Sequence, residues 1–168
     1  MGSVLEILLP KQANNDYRGG AIPFYGFCLL LAQKLFSSTV HLLKHDSGKN
    51  SIGGMIRFEG IPDPNEAIYA IGSISGANEM LLVLLFVLVL WRYRNLIPLM
   101  FGFVIVEMLL RLVVRTLHPL GPDYFEHTPP ATLALLPVLL FSVLMLFLAI
   151  RQSAKREERT EEASVAAP

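Results

Sequence analysis

The apolar residues of this chain gather in long, nearly unbroken stretches rather than in the short alternations of a soluble fold. One stretch runs from about residue 20 to 43, one from 68 to 117, and one from 130 to 150. A bilayer core takes about 20 helical residues at 1.5 Å each, so the middle stretch is too long for one crossing. Arg92-Tyr93-Arg94-Asn95 is the polar break near its centre and divides it into spans over 68–91 and 96–117. Pro98 then falls in the first turn of a helix, where its missing N–H does no harm. The pattern predicts an all-α, four-span antiparallel transmembrane helix bundle with short inner connections and a long first outer loop over residues 44–66.

The second span contains Asn78 and Glu79. A charge at the centre of a membrane helix costs about 3 kcal/mol on insertion scales. The run from Leu81 to Leu90 recovers roughly 5 kcal/mol, so insertion is favoured. Lys11, Arg18, Arg92, Arg94, Arg151, Lys155, Arg156 and Arg159 fall on one side of a four-span chain, against Lys44, Lys49, Arg57 and Arg115 on the other. This bias predicts a multi-pass inner-membrane protein with both termini in the cytoplasm. Residues 1–19 lack the basic start and apolar core of a secretory signal and read as a cytoplasmic or interfacial leader. Gly2 is not a myristoylation site, because Glu6 stands where Ser or Thr is needed. Residues 151–168 mix both signs of charge and end in Ala-Ala-Pro, the pattern of a frayed helix end followed by disorder.

Composition sharpens this. The chain has 168 residues, 53% hydrophobic and 17% charged, well below the charge of an ordinary soluble domain. Mean hydropathy is +0.50. Lys+Arg and Asp+Glu balance at 14 each, which argues against a nucleic-acid partner. Cys28, the single cysteine, excludes an internal disulfide and a cysteine-based zinc site. No phosphate loop, dinucleotide fingerprint or haem-binding cysteine motif is present, so no cofactor is expected.

The polar residues inside the spans carry the functional signal. Lys34, Ser37, Ser38, His41 and His45 share one helical face in the first span. Gly72, Gly76 and Glu79 share a face in the second, and Gly72/Gly76 is a GxxxG pair that permits close helix approach. Glu107, Arg111 and Arg115 follow one another at i, i+4 and i+8 in the third. The fourth span carries no charge and is free to face lipid all round. Counting 1.5 Å per residue from each helix start puts Lys34 about 21 Å up, Glu79 about 16 Å down, and Glu107 and Arg111 about 17 and 23 Å up. All four therefore lie between the midplane and the outer third. Their charges cancel, and charges in hydrocarbon face a bundle interior or a wet cavity.

This pattern predicts an outward-facing polar pocket formed by Lys34, Asn78, Glu79, Glu107 and Arg111, with His41, His45 and Asp46 at its mouth. Lys34 and Arg111 would hold a small anionic or lipid-like ligand, while Glu79 and Glu107 balance charge or relay protons. A structural reading stands beside it, in which the charges only pair and fix helix register within a larger membrane complex. A membrane-embedded enzyme is a further reading. Its metal version rests on the i, i+4 pair His41 and His45, but Leu42 fills the position a zinc protease would give to Glu. His45-Asp46-Ser47 is a turn sequence rather than a triad, whose members converge from separate parts of a chain.

Two segments, VHLLKHDSGKNSIGG from Val40 to Gly54 and LWRYRNLIPLM with EMLLR between Leu90 and Arg111, resemble a group of small bacterial four-helix integral membrane proteins with no assigned activity. The resemblance covers about half the chain and implies a bacterial inner-membrane location. The four-helix glutathione-transferase-like membrane enzymes share the length, but only Asn78-Glu79 matches their second helix, and the basic residues that would bind glutathione are missing before Arg92.

Overall fold

A computed structural model describes residues 4–165. Gly2 and the Ala-Ala-Pro end lie outside the described residues. The chain is all-helical, with helices α1 (Val4–Leu8), α2 (Ala21–Leu43), α3 (Pro64–Arg92), α4 (Ile97–Leu117) and α5 (Pro130–Val165). Four of them, α2 to α5, are long and apolar enough to cross a membrane.

The helix starts follow local chemistry. Asp63 accepts the Asn65 N–H at 2.9 Å and Pro64 takes the first helical position, so α3 begins before the expected residue 68. Arg94 donates from Nε to the Leu90 carbonyl at 2.9 Å and lies over the Phe24 ring, closing the end of α3. A short 3-10 turn, Arg94–Leu96, then leads into α4, with Pro98 in its first turn as anticipated.

Two expectations are corrected. The helix of the fourth span does not fray near Ile150 but continues through the charged segment to Val165. Its residues Arg151 to Ser164 contain neither Gly nor Pro and are mostly Ala, Gln, Glu, Lys and Arg, all good helix formers. Nor is this helix indifferent to its surroundings. Leu135, Ser142, Met145, Ala149 and Ser153 form a buried stripe along one side. Lack of charge allowed lipid on every face, but the small residues at helical spacing mark the packed one.

The core centres on Phe27, Phe86 and Phe101. Phe27 stands 5.0 Å from Phe86 and 6.0 Å from Phe101, between ring centroids. Ile97, Met100, Val104 and Met108 of α4 and Leu135 and Met145 of α5 complete it. α2 packs chiefly on α3, and α4 on α5, while α3 and α4 touch sparsely. Gly76 is buried in the α2–α3 contact, while Gly72 is buried under Ser47 and Lys49 of the loop that follows α2. A Cβ at Gly76 would come within 2.6 Å of the Leu42 backbone nitrogen, so only glycine lets the helices approach this closely.

Both helix ends are covered. At one end, residues 12–14 dock on the 93–96 turn: Asn95 Oδ1 accepts the Asn14 N–H at 2.9 Å and Asn95 Nδ2 donates to the Gln12 carbonyl at 2.8 Å. At the other, the 44–63 segment folds over α2 and α3 in successive turns, with no hairpin. It meets the second loop through an isolated antiparallel bridge between Met55 and Phe125. There Ile56 N–H donates to Tyr124 O at 3.1 Å and Glu126 N–H to Gly54 O at 2.7 Å.

Candidate functional site

Three helices bring four charges together about two turns beyond the Phe27 core layer. Lys34 of α2 donates from Nζ to Glu107 Oε2 of α4 at 2.5 Å, and stands 3.6 Å from Glu79 Oε1 of α3. Arg111 of α4 reaches Glu107 Oε1 with Nη2 at 2.8 Å and Nε at 3.2 Å, and approaches Glu79 Oε1 at 3.6 Å. The result is a closed ring of alternating sign: Lys34, Glu107, Arg111, Glu79. Ser37 Oγ donates to Glu79 Oε2 at 3.1 Å and fills a further acceptor position.

Burial grades across the ring. Side-chain exposure is 2% at Lys34, 10% at Glu79, 22% at Glu107 and 49% at Arg111. Lys34 is therefore a buried anchor, and Arg111 is the member with a free side. A charge as buried as Lys34 persists only because both neighbours are anionic.

The other anticipated site residues lie elsewhere. Asn78 is exposed on α3 and takes no part in the ring. α2 ends at Leu43, so His45 leaves the helical face on which its spacing placed it; it is exposed, with its ring edge-on to Tyr69 at 6.0 Å. His41 Nδ1 lies 2.7 Å from the Ser47 carbonyl, and Ser47 Oγ donates back to the His41 carbonyl at 2.9 Å. The first contact requires the proton on Nδ1. Asp46 accepts N–H groups from Gly48 at 3.0 Å and Ser51 at 2.8 Å. Burial pulls its pKa up, but these bonds, the Ser51 hydroxyl and nearby Lys44 outweigh it and hold the carboxyl at about 2. His41 and Asp46 thus shape the loop rather than line a mouth. No three His, Cys, Asp or Glu side chains converge on a metal-sized point among the described residues.

Lys49, Asn50, Tyr69 and Asn65 matter more than their sequence context signals. Lys49 crosses α3 at Gly72, where a Cβ would meet Lys49 Cε at 2.8 Å. Its ammonium pairs with no carboxylate among the described residues. Burial, and then the like charge of Arg111, push its pKa down. Asn50 donates to the Met55 carbonyl at 2.6 Å and accepts from the Tyr69 hydroxyl, fixing the loop that delivers Lys49. Asn65, only 4% exposed, binds both backbone groups of Phe58.

A cleft of about 800 Å³ opens beside Arg111, between the end of α4, the 118–129 loop and the start of α5. Arg111, Arg115, His118, Glu126 and His127 are among its polar groups; Val114, Leu120 and Leu135 are among its apolar ones.

No protein-family model, curated protein or solved structure matches this chain. The helices and the ring therefore define it by themselves: an all-helical chain with four candidate membrane spans, carrying a compact charge cluster inside them.

Proposed function

We propose that this chain is a non-enzymatic inner-membrane binding or accessory component, an antiparallel four-span bundle with a long first outer loop and both termini in the cytoplasm. Its site takes a small anionic or lipid-like ligand from the outer side. The direction of the bundle is supported by contacts that climb one helix while descending the next: Phe27 with Phe86, His41 with Gly76. The sidedness is supported by the basic residues around 11–18, 92–94 and 151–159. The bacterial inner membrane rests on the resemblance of residues 40–54 and 90–111.

One observation carries the binding reading. Glu79 and Glu107 are engaged by Lys34 and Arg111, yet Lys49, lying over Gly72 of α3, has no carboxylate partner among the described residues, and Arg111 is half exposed. Two such cations, partly withdrawn from water on the same side of the bundle, make a receptor for a carboxylate or phosphate group. The test is thermal unfolding of the purified protein in neutral detergent, titrated with dodecyl phosphate or dodecanoate. Protection of the wild type that weakens at least tenfold in midpoint concentration for Lys49→Gln supports the reading. Equal protection of wild type and Lys49→Gln contradicts it.

The closed ring also favours a second reading, a structural subunit of a larger membrane complex, since each ring charge already has an opposite partner. On that reading Glu107→Gln with Arg111→Met lowers expression but leaves any cellular phenotype intact.

A further inference from the structure

The cleft beside the ring differs from the ring in kind. The ring is small, polar and enclosed by three helices. The cleft is several times the size of a carboxylate or phosphate group and runs from Arg111 past Arg115 to the 118–129 loop. Arg111 and Arg115 are one turn apart on α4, so they form a ladder climbing toward the end of that helix. Arg115 is exposed and has no ion-pair partner among the described residues, so its charge is available. Glu126 is the one carboxylate in the lining, and since Glu107 and Glu79 already engage Arg111, Arg115 is the lining cation left without an ion pair among the described residues. The apolar part is substantial as well: Val114 is 58% and Leu120 56% exposed, on the side where the cleft opens. Cations above apolar surface at a helix end match the anatomy of an amphiphile, whose headgroup and chain need adjacent polar and apolar walls.

We propose that this cleft is a lipid site that holds one anionic phospholipid of the outer leaflet, its phosphate bridging Arg111 and Arg115 and its chain lying along Val114, Leu120 and Leu135. This rests on the outward orientation proposed above; the cleft adjoins the ring and shares Arg111 with it, but Lys49 is not in its lining. Binding there leaves the ring closed, because Arg111 keeps its contacts to Glu107 and turns only its free side to the phosphate. Gly121 lies in the lining with φ of −68°, and a Cβ there meets nothing within 4 Å. A large side chain at 121 therefore plugs the cleft without backbone strain or a clash in the core.

The experiment is thermal unfolding in neutral detergent with added phosphatidylglycerol, phosphatidylcholine at equal mole fraction, or inorganic phosphate. Wild type, Arg115→Gln, Gly121→Trp and Lys49→Gln are compared. At saturating lipid, phosphatidylglycerol raises the midpoint by about 5–10 °C over phosphatidylcholine in the wild type. Arg115→Gln and Gly121→Trp, which touch neither ring nor core, melt normally without lipid but lose that difference. Two results overturn the cleft while leaving the broader reading intact: a difference that survives both variants but is lost in Lys49→Gln, or protection by inorganic phosphate equal to that by phosphatidylglycerol. Absence of any anion-dependent protection in the wild type overturns both.

Discussion

At the scale of single residues, Asp46 shows how far a side chain can be from the role its position suggests. Its four neighbouring donors and charges serve the loop, and they set a clear pH signature. The carboxyl ionises in the fold at about 2 rather than the usual 3.8, so on acidification the unfolded chain takes up this proton before the folded one does. The stability it contributes is complete above about pH 4 and is lost as pH falls toward 2. Amide NMR of Gly48 and Ser51 should titrate with a midpoint near 2; a midpoint at the ordinary carboxylate value would show the bonds are not formed. Tyr17 is the opposite case. Its hydroxyl is buried without a hydrogen-bond partner among the described residues, and burial pushes its pKa up. Tyr17→Phe removes an unmet desolvation cost and should be neutral or stabilising by about 1–2 kcal/mol in a melting experiment. Neither role was legible in the chain. Asp46 read as a pocket residue because an acid beside two histidines invites that reading, whereas the backbone N–H groups that claim it become neighbours only once the loop turns.

At the scale of elements, the spans were legible because hydrocarbon imposes a length and an apolar composition that few other environments demand. Pro98 in the first turn of α4 followed from the same reading. The start of α3 did not, since Asp63-Pro64 in a proline-rich loop passes as a turn unless its capping geometry is seen. The packed face of α5 was hidden for a related reason: Ser142 and Ala149 mark it by being small, which hydropathy does not weigh. The α2–α3 contact yields a matched pair of predictions. Gly76→Ala pushes a methyl into the α2 backbone and should destabilise by about 1–3 kcal/mol. Gly102→Ala, in α4 with nothing within 4 Å of the added carbon, should stabilise by about 0.5–1 kcal/mol. Unfolding of both variants in the same detergent checks this, and equal effects would show that α2 and α3 do not meet at Gly76.

At the scale of the whole molecule, the architecture is two packed helix pairs held together by the aromatic core and, beyond it, by the charge ring. Lys34, Glu79, Glu107 and Arg111 were legible as a group because ionisable residues are costly in a membrane and matching depth leaves pairing as the cheap solution. Asn78 was grouped with them by adjacency to Glu79, but successive helical residues point about 100° apart and it faces outward. Lys49 was missed because a lysine in a polar loop carries no signal until Asn50 and Tyr69 fix that loop over Gly72. The ring makes the energetic prediction. Lys34→Met alone leaves Glu79 and Glu107 sharing only Arg111 and should cost about 3–5 kcal/mol, whereas a variant that also replaces its partner should cost much less than the sum. The most direct measurement is a double-mutant cycle of Lys34→Met and Glu107→Leu, by unfolding in neutral detergent. Convergence of these side chains predicts a coupling energy of about 2–3 kcal/mol. Effects that add to within about 0.5 kcal/mol would mean the two charges never meet, and the ring, the receptor beside it and the cleft would lose their foundation together.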